Sequence, residues 1–163
     1  WEAYPAGQNE VLRLTQSQVG YSYRAVVSYI DSHGTREVLY TSPSETIDNL
    51  DDPVQGEVNI IGEPKEGVTL RALSESLSDE DGIASISISW ETSKDGRNWI
   101  GLNSLSGPVL PLTQALVGSQ VRARVAVVDN FGIETNLYSQ ATRTVENVNN
   151  KPSGRIVIRR VGQ

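Results

Sequence analysis

Carboxylates are the side chains of this sequence best suited to chemistry, and they are unevenly spread. Residues 48–82 contain ten Asp or Glu and two Lys or Arg, whereas the rest of the chain contains ten acids and twelve bases. The chain has no Cys and a single His, so a metal ion would have to be held by oxygen ligands. The local negative charge favours a cation as partner, and the absence of a basic stripe argues against nucleic acid.

Enzymatic chemistry has little support in the sequence. General-base catalysis by His33 would need a second positioned group, and no spacing of the serines suggests one. We therefore expect a protein that is not an enzyme. No apolar run approaches the roughly 20 residues that span a bilayer, so we expect no membrane insertion.

The elements that must position the acids are repeated along the chain. A shift of 98 residues superposes residues 1–65 on residues 99–163 without a gap, with 19 identical residues. Trp1 falls on Trp99, and Asp31 falls on Asp129. We interpret the chain as a piece of something longer. It would comprise the C-terminal half of one repeat (1–48), a complete repeat (49–147), and a linker with the first strand of a third (148–163).

Apolar residues in the complete repeat alternate with a period of two, as in Ile86 to Trp90 and Val121 to Val125, which is typical of half-buried strands. We predict strands near residues 56–61, 67–73, 84–92, 98–102, 109–112, 119–128 and 134–145, and one helical turn over 113–118. Seven short strands with a tryptophan on the third predict an all-β, immunoglobulin-like sandwich. Trp90 is then a core residue, and Trp99 is more easily explained by packing than by sugar binding.

Three acidic segments, residues 48–52, 78–82 and 129–132, are predicted to meet at one end of this sandwich. Carboxylates that lie so close repel one another, and a hard cation would offset the repulsion. Ca²⁺ accepts roughly six to eight oxygen ligands, whereas Mg²⁺ demands a stricter octahedron. The alternative is that the Asp-Gly and Asp-Asn pairs simply form turns.

The sequence resembles the tandem Ig-like or cadherin-like repeats of giant bacterial RTX-type surface adhesins. The resemblance is carried by Trp90…Lys94-Asp95-Gly96…Trp99, by Asp129…Gly132, and by Asn147-Val148-Asn149…Pro152. It implies a stalk of seven-strand β-sandwiches in tandem, exported by a type I secretion system and stiffened by structural calcium at its junctions. Carried over residue by residue, it implies the calcium ligands Asp51, Asp52, Asp79, Asp81 and Asp129.

The predicted function is therefore a structural extender in a secreted or cell-surface bacterial protein. Its partners are neighbouring repeats, while a host or biofilm ligand would be bound by other domains. One alternative is a glycan- or protein-binding module, which would need an exposed aromatic cluster; Tyr23 and Tyr29 are expected to be buried instead. Another alternative is the spacer region of a secreted multidomain enzyme.

Residues 1–48 are expected to contain only the last strands of a repeat, so their sheet edges would be open and prone to aggregation. We predict that a further segment completes them. The candidate is the strand over residues 154–161, supplied either by a neighbouring molecule or by an intramolecular return.

Overall fold

The computed structural model describes residues 11–159, which form two compact units that separate between Pro53 and Val54. Nine strands lie within these residues: β1 Val26–Ile30, β2 Arg36–Tyr40, β3 Asn59–Ile61, β4 Thr69–Leu73, β5 Ile83–Ser93, β6 Ile100–Ser106, β7 Val109–Pro111, β8 Gln120–Asp129 and β9 Glu134–Tyr138. Helix is limited, in the same part of the chain, to two 3-10 turns at Gln16–Gln18 and Gln114–Leu116. None of the helical segments described is long and apolar enough to cross a membrane.

The second unit is built from two antiparallel sheets with strand orders β3-β4-β7 and β6-β5-β8-β9. Every second residue of β8 from Val121 to Val127 is buried, because successive side chains of a strand point to opposite faces. Leu70 and Leu110 of the other sheet belong to the same hydrophobic core. The predicted all-β, sandwich-like character is confirmed, while the immunoglobulin-like or cadherin-like assignment stays a prediction.

Trp90 lies at the centre of this core with 1% of its surface exposed. Its indole Nε1 donates a hydrogen bond to the carbonyl oxygen of Gly107 at 3.0 Å. The ring therefore buries its large apolar surface without leaving its one polar group unpaired. The prediction that Trp90 is a core residue is confirmed.

The strand predicted over residues 134–145 is too long, since β9 ends at Tyr138. Beyond Tyr138, side-chain hydroxyl groups replace backbone carbonyl oxygens as the acceptors for N–H groups of β8. The backbone N–H of Ala123 donates to Ser139 Oγ at 2.9 Å, and that of Val121 donates to Thr142 Oγ1 at 3.1 Å. Side-chain acceptors of this kind compete with the regular ladder, so the segment still follows β8 but no longer forms a strand.

The first unit repeats these features 98 residues earlier. Its strands β1 and β2 form an antiparallel hairpin, and β2 coincides with β9 after the shift. The N–H of Gly20 donates to the Ile47 carbonyl at 2.9 Å, as Gly118 does to Val145 at 3.0 Å. The internal repeat predicted from the sequence therefore extends to individual hydrogen bonds. Trp1 lies outside the described residues.

The burial predicted for the first unit is wrong. Tyr29 is 49% exposed and Tyr23 is only half-buried, and within the described residues β1 and β2 form a sheet of two strands only. The intramolecular return of the strand over 154–161 is also wrong for the part described, because residues 151–159 form no strand. Residues 160 and 161 lie outside the described residues. Exchange of this strand between molecules stays a prediction.

Candidate metal centre

Two buried carboxylates meet at one end of the second unit. The antiparallel register of β5 and β8 pairs Ile83 with Asp129, so the loop that precedes β5 lies beside the loop that follows β8. Asp81 and Asp129 are each only 4% exposed, and a carboxylate oxygen of one lies within 4.8 Å of a carboxylate oxygen of the other. The predicted meeting of loops 78–82 and 129–132 is thus observed.

Asp129 uses one of its two oxygens to build its own turn. Its Oδ1 accepts hydrogen bonds from the backbone N–H groups of Phe131 and Ile133, both at 2.8 Å. Its Oδ2 is buried and accepts no hydrogen bond from any residue that the structure describes. A buried polar atom without a partner is costly, so this oxygen is suited to an added ligand.

The loop that carries Asp81 is held in place by its neighbours. Asp79 is half-buried, and its Oδ1 accepts the backbone N–H of Asp81 at 2.8 Å. Gly82 has φ +79°, and a Cβ on it would lie 2.2 Å from Nδ2 of Asn130. A side chain at this position would require the Asn130 amide to move, and the positive φ favours glycine. The sequence analysis did not identify Asn130 as a site residue, although it directly follows Asp129.

The electrostatics of this pair favour a cation. Two unit charges about 4.8 Å apart repel by roughly 3 kcal/mol at an effective dielectric constant of about 20. Carboxylate oxygens are hard ligands, which suit Ca²⁺ or Mg²⁺ rather than metals that prefer sulfur or imidazole. Asp81 and Asp129 could therefore hold a metal ion between them.

The five predicted ligands are not all placed at this pair. Asp79, Asp81 and Asp129 belong to the second unit, with Asp79 in the loop of Asp81. Asp51 is exposed, Asp52 is half-buried, and both belong to the first unit. The contribution of Asp51 and Asp52 to a metal site stays a prediction from the sequence.

Trp99 packs against protein side chains. The Arg122 guanidinium lies 4.3 Å from the centroid of the Trp99 ring and 4.4 Å from that of Tyr138, and its Nη2 contacts Glu91 Oε2 at 2.7 Å. Such cation–π contacts cover part of the ring, so this geometry favours packing over sugar stacking. In the first unit, Arg24 stacks in the same way on Tyr40 at 4.6 Å.

The carboxylates of Asp95 and Asp31 accept backbone hydrogen bonds within turns. Backbone N–H groups of Asn98 and Arg97 donate to Asp95 Oδ1 at 2.8 and 2.9 Å, and they hold the pKa of that carboxyl well below its usual range. His33 lies on an exposed turn, where its backbone N–H donates to Asp31 Oδ1 at 2.8 Å. The turn built by Asp31 is the counterpart of the one built by Asp129.

Neither the family models nor the curated proteins compared with this chain give a match. Fold and site together define an all-β protein that repeats a unit of 98 residues and carries a buried pair of carboxylates. The resemblance to RTX-type adhesin repeats stays a prediction.

Proposed function

We propose that this chain consists of structural repeats that extend the stalk of a large bacterial cell-surface or secreted adhesin. The observation that carries the proposal is the recurrence of the same backbone hydrogen bonds at a spacing of 98 residues, as at Gly20 and Gly118. Repeats in series add length while each keeps its own core, so their stabilities sum locally. The seven strands of the second unit support an immunoglobulin-like or cadherin-like repeat.

Calcium at the junctions is the second part of the proposal. The buried pair of Asp81 and Asp129 supports it, because two carboxylates in this setting are best neutralised by a hard cation. Asp79 lies in the same loop as Asp81, and the linker residues Asp51 and Asp52 would supply the remaining carboxylate ligands. Extracellular modules bind calcium with a Kd of about 10⁻⁴–10⁻³ M, so the site would fill outside the cell and stay empty in the cytosol.

In this role the repeats carry out no catalysis, and ligand binding is left to other domains. The stacking of Trp99 on Arg122 supports the proposal, because it commits an aromatic ring of the second unit to packing. A stalk segment also needs no deep cleft, only a fold that tolerates repetition.

The experiment that tests the proposal is solution scattering of the chain in chelator, in millimolar magnesium and in millimolar calcium. We expect the maximum dimension to increase and the distance distribution to sharpen in calcium, because a shared ion removes freedom at the junction. Identical curves in all three buffers would contradict a calcium-stiffened stalk. A glycan-array screen addresses the alternative, since specific binding by this chain would favour a binding module.

A further inference from the structure

The chain that leaves the second unit is attached to it by side-chain hydrogen bonds. The backbone N–H of Val148 donates to Glu66 Oε2 at 3.0 Å, although the two residues are 82 positions apart. The amide of Gln114 lies between Asn147 and Glu66. In one orientation its nitrogen donates to Asn147 Oδ1 at 3.3 Å, and in the reverse orientation it donates to Glu66 Oε1 at 2.9 Å. We call these four residues the exit clamp: Glu66, Gln114, Asn147 and Val148.

The backbone beside the exit clamp is held from two sides. The N–H of Glu66 donates to the carbonyl oxygen of Glu146 at 2.9 Å, and the N–H of Val145 donates to that of Ser119 at 2.8 Å. Val145 is 1% exposed and belongs to the hydrophobic core. The exit clamp therefore continues the ordered repeat beyond its last core residue, as far as the half-buried Val148.

The pairing of glutamine with asparagine recurs in the first unit. Gln16 Nε2 donates to Asn49 Oδ1 at 3.0 Å, and a shift of 98 residues places these two on Gln114 and Asn147. In each unit the glutamine is the first residue of the 3-10 turn, Gln16–Gln18 or Gln114–Leu116. The same contact in two units indicates a common role where the chain leaves each of them.

We infer that the exit clamp fixes the direction in which the chain leaves a repeat, through hydrogen bonds of the protein alone. A hydrogen bond to a carboxylate favours the closed form over the open form by roughly tenfold or more. Freedom of the chain therefore begins only beyond Val148. The inference deepens the proposed stalk function, and it rests on that function for the use of the fixed direction, which is to aim the repeat that follows.

Backbone amide relaxation, measured by NMR on the whole chain in chelator, tests the inference residue by residue. The order parameter of Val148 should be about 0.85, as in rigid backbone, and it should fall below about 0.6 in Glu66→Ala. Exchange of the Val148 amide hydrogen should become roughly tenfold faster in the same variant. Glu66→Gln keeps an oxygen acceptor, so it should retain the rigid value. In the first unit, Gln16→Ala should lower the order parameter of Asn49.

Glu63→Ala is the matched control, because it removes an exposed acid from the same loop but from outside the exit clamp. It should leave Val148 rigid. Unchanged order parameters along β8, Gln120–Asp129, show that each variant is folded.

Two results would overturn the inference. One is an order parameter of Val148 below about 0.6 in the unmodified chain, and the other is an unchanged value in Glu66→Ala. The test is separate from scattering in calcium. A clamped Val148 in chelator together with identical scattering curves would contradict the calcium-stiffened stalk and support the exit clamp.

Discussion

The substitution Asp129→Asn separates a buried metal site from an ordinary turn. Asparagine keeps the Oδ1 that accepts the N–H groups of Phe131 and Ile133, and it replaces the unbonded Oδ2 with a neutral amide nitrogen. The change therefore removes one negative charge from a pair within 4.8 Å while it preserves the shape of the turn.

Without a cation, the variant should be more stable than the unmodified protein. Relief of the repulsion amounts to roughly 3 kcal/mol at an effective dielectric constant of about 20. A neutral oxygen is a weaker hydrogen-bond acceptor than a carboxylate oxygen, which offsets about 1 kcal/mol of this stabilisation. The net gain of about 2 kcal/mol corresponds to a rise in Tm on the order of 10 °C for a unit of this size.

In calcium the difference between the two proteins should largely disappear. Binding to the folded state alone stabilises the unmodified protein by about 2.7 kcal/mol at a hundredfold excess over Kd, and the variant should lose most of that gain. Thermal unfolding in chelator and in millimolar calcium measures both effects. Asp31→Asn is the matched control, because Asp31 makes the same two backbone contacts in the equivalent turn, with His33 and Thr35 at 2.8 Å. It should leave the unfolding of the second unit unchanged in both buffers.

Two outcomes would refute this reasoning. One is an Asp129→Asn variant that is less stable than the unmodified protein in chelator, which would show that the carboxylates do not repel appreciably. The other is an unmodified protein whose Tm is the same with and without calcium. In that case the loops would be ordinary turns, as the alternative interpretation of the sequence has it.

Three further predictions concern the second unit. Gly82→Ala should weaken both stability and calcium affinity, because its Cβ would displace the Asn130 amide beside the site. Gly118→Ala is the control: it has a similar φ of +78° and open space around it, so it should lose only the roughly 1 kcal/mol that the backbone conformation costs. Asp95→Asn should make stability less dependent on pH in the acid range. The lowered pKa of Asp95 stabilises the fold at pH values above the ordinary pKa of the group, and that contribution is lost as the pH falls towards the folded pKa. Chemical denaturation from pH 6 to pH 2 should therefore show a smaller decline in the free energy of unfolding for the variant than for the unmodified protein. Trp90→Phe should cost about 2 kcal/mol in urea unfolding, since it removes buried volume and the hydrogen bond to Gly107, and a loss near zero would contradict its place at the core centre.

Strand positions in the second unit were predictable because their alternation is strong. The strand predicted over 84–92 is observed at Ile83–Ser93, and that over 119–128 at Gln120–Asp129. The helical turn within 113–118 is observed at Gln114–Leu116. The end of β9 was not predictable from alternation, because it depends on which hydroxyls accept hydrogen bonds from β8.

The candidate site was predictable in outline. Acid density and strand order indicated that loops 78–82 and 129–132 would meet, and they do. No pattern in the sequence indicated that an oxygen of Asp79 would accept the N–H of Asp81, or that Asn130 would lie against Gly82. Burial in the first unit was mispredicted because a periodic pattern such as Tyr23 to Tyr29 marks one face of a strand without showing what covers that face.

The early end of β9 has a consequence for the edge of its sheet. Adjacent domains with related sequences tend to exchange strands while they fold, and a long exposed edge is the usual template. Here the outer strand of the four-stranded sheet is regular for only five residues, Glu134–Tyr138, and beyond it the hydroxyls of Ser139 and Thr142 are the acceptors that face β8. A foreign strand would find only this short regular stretch of β9 to pair with, which limits association at this edge of the sheet.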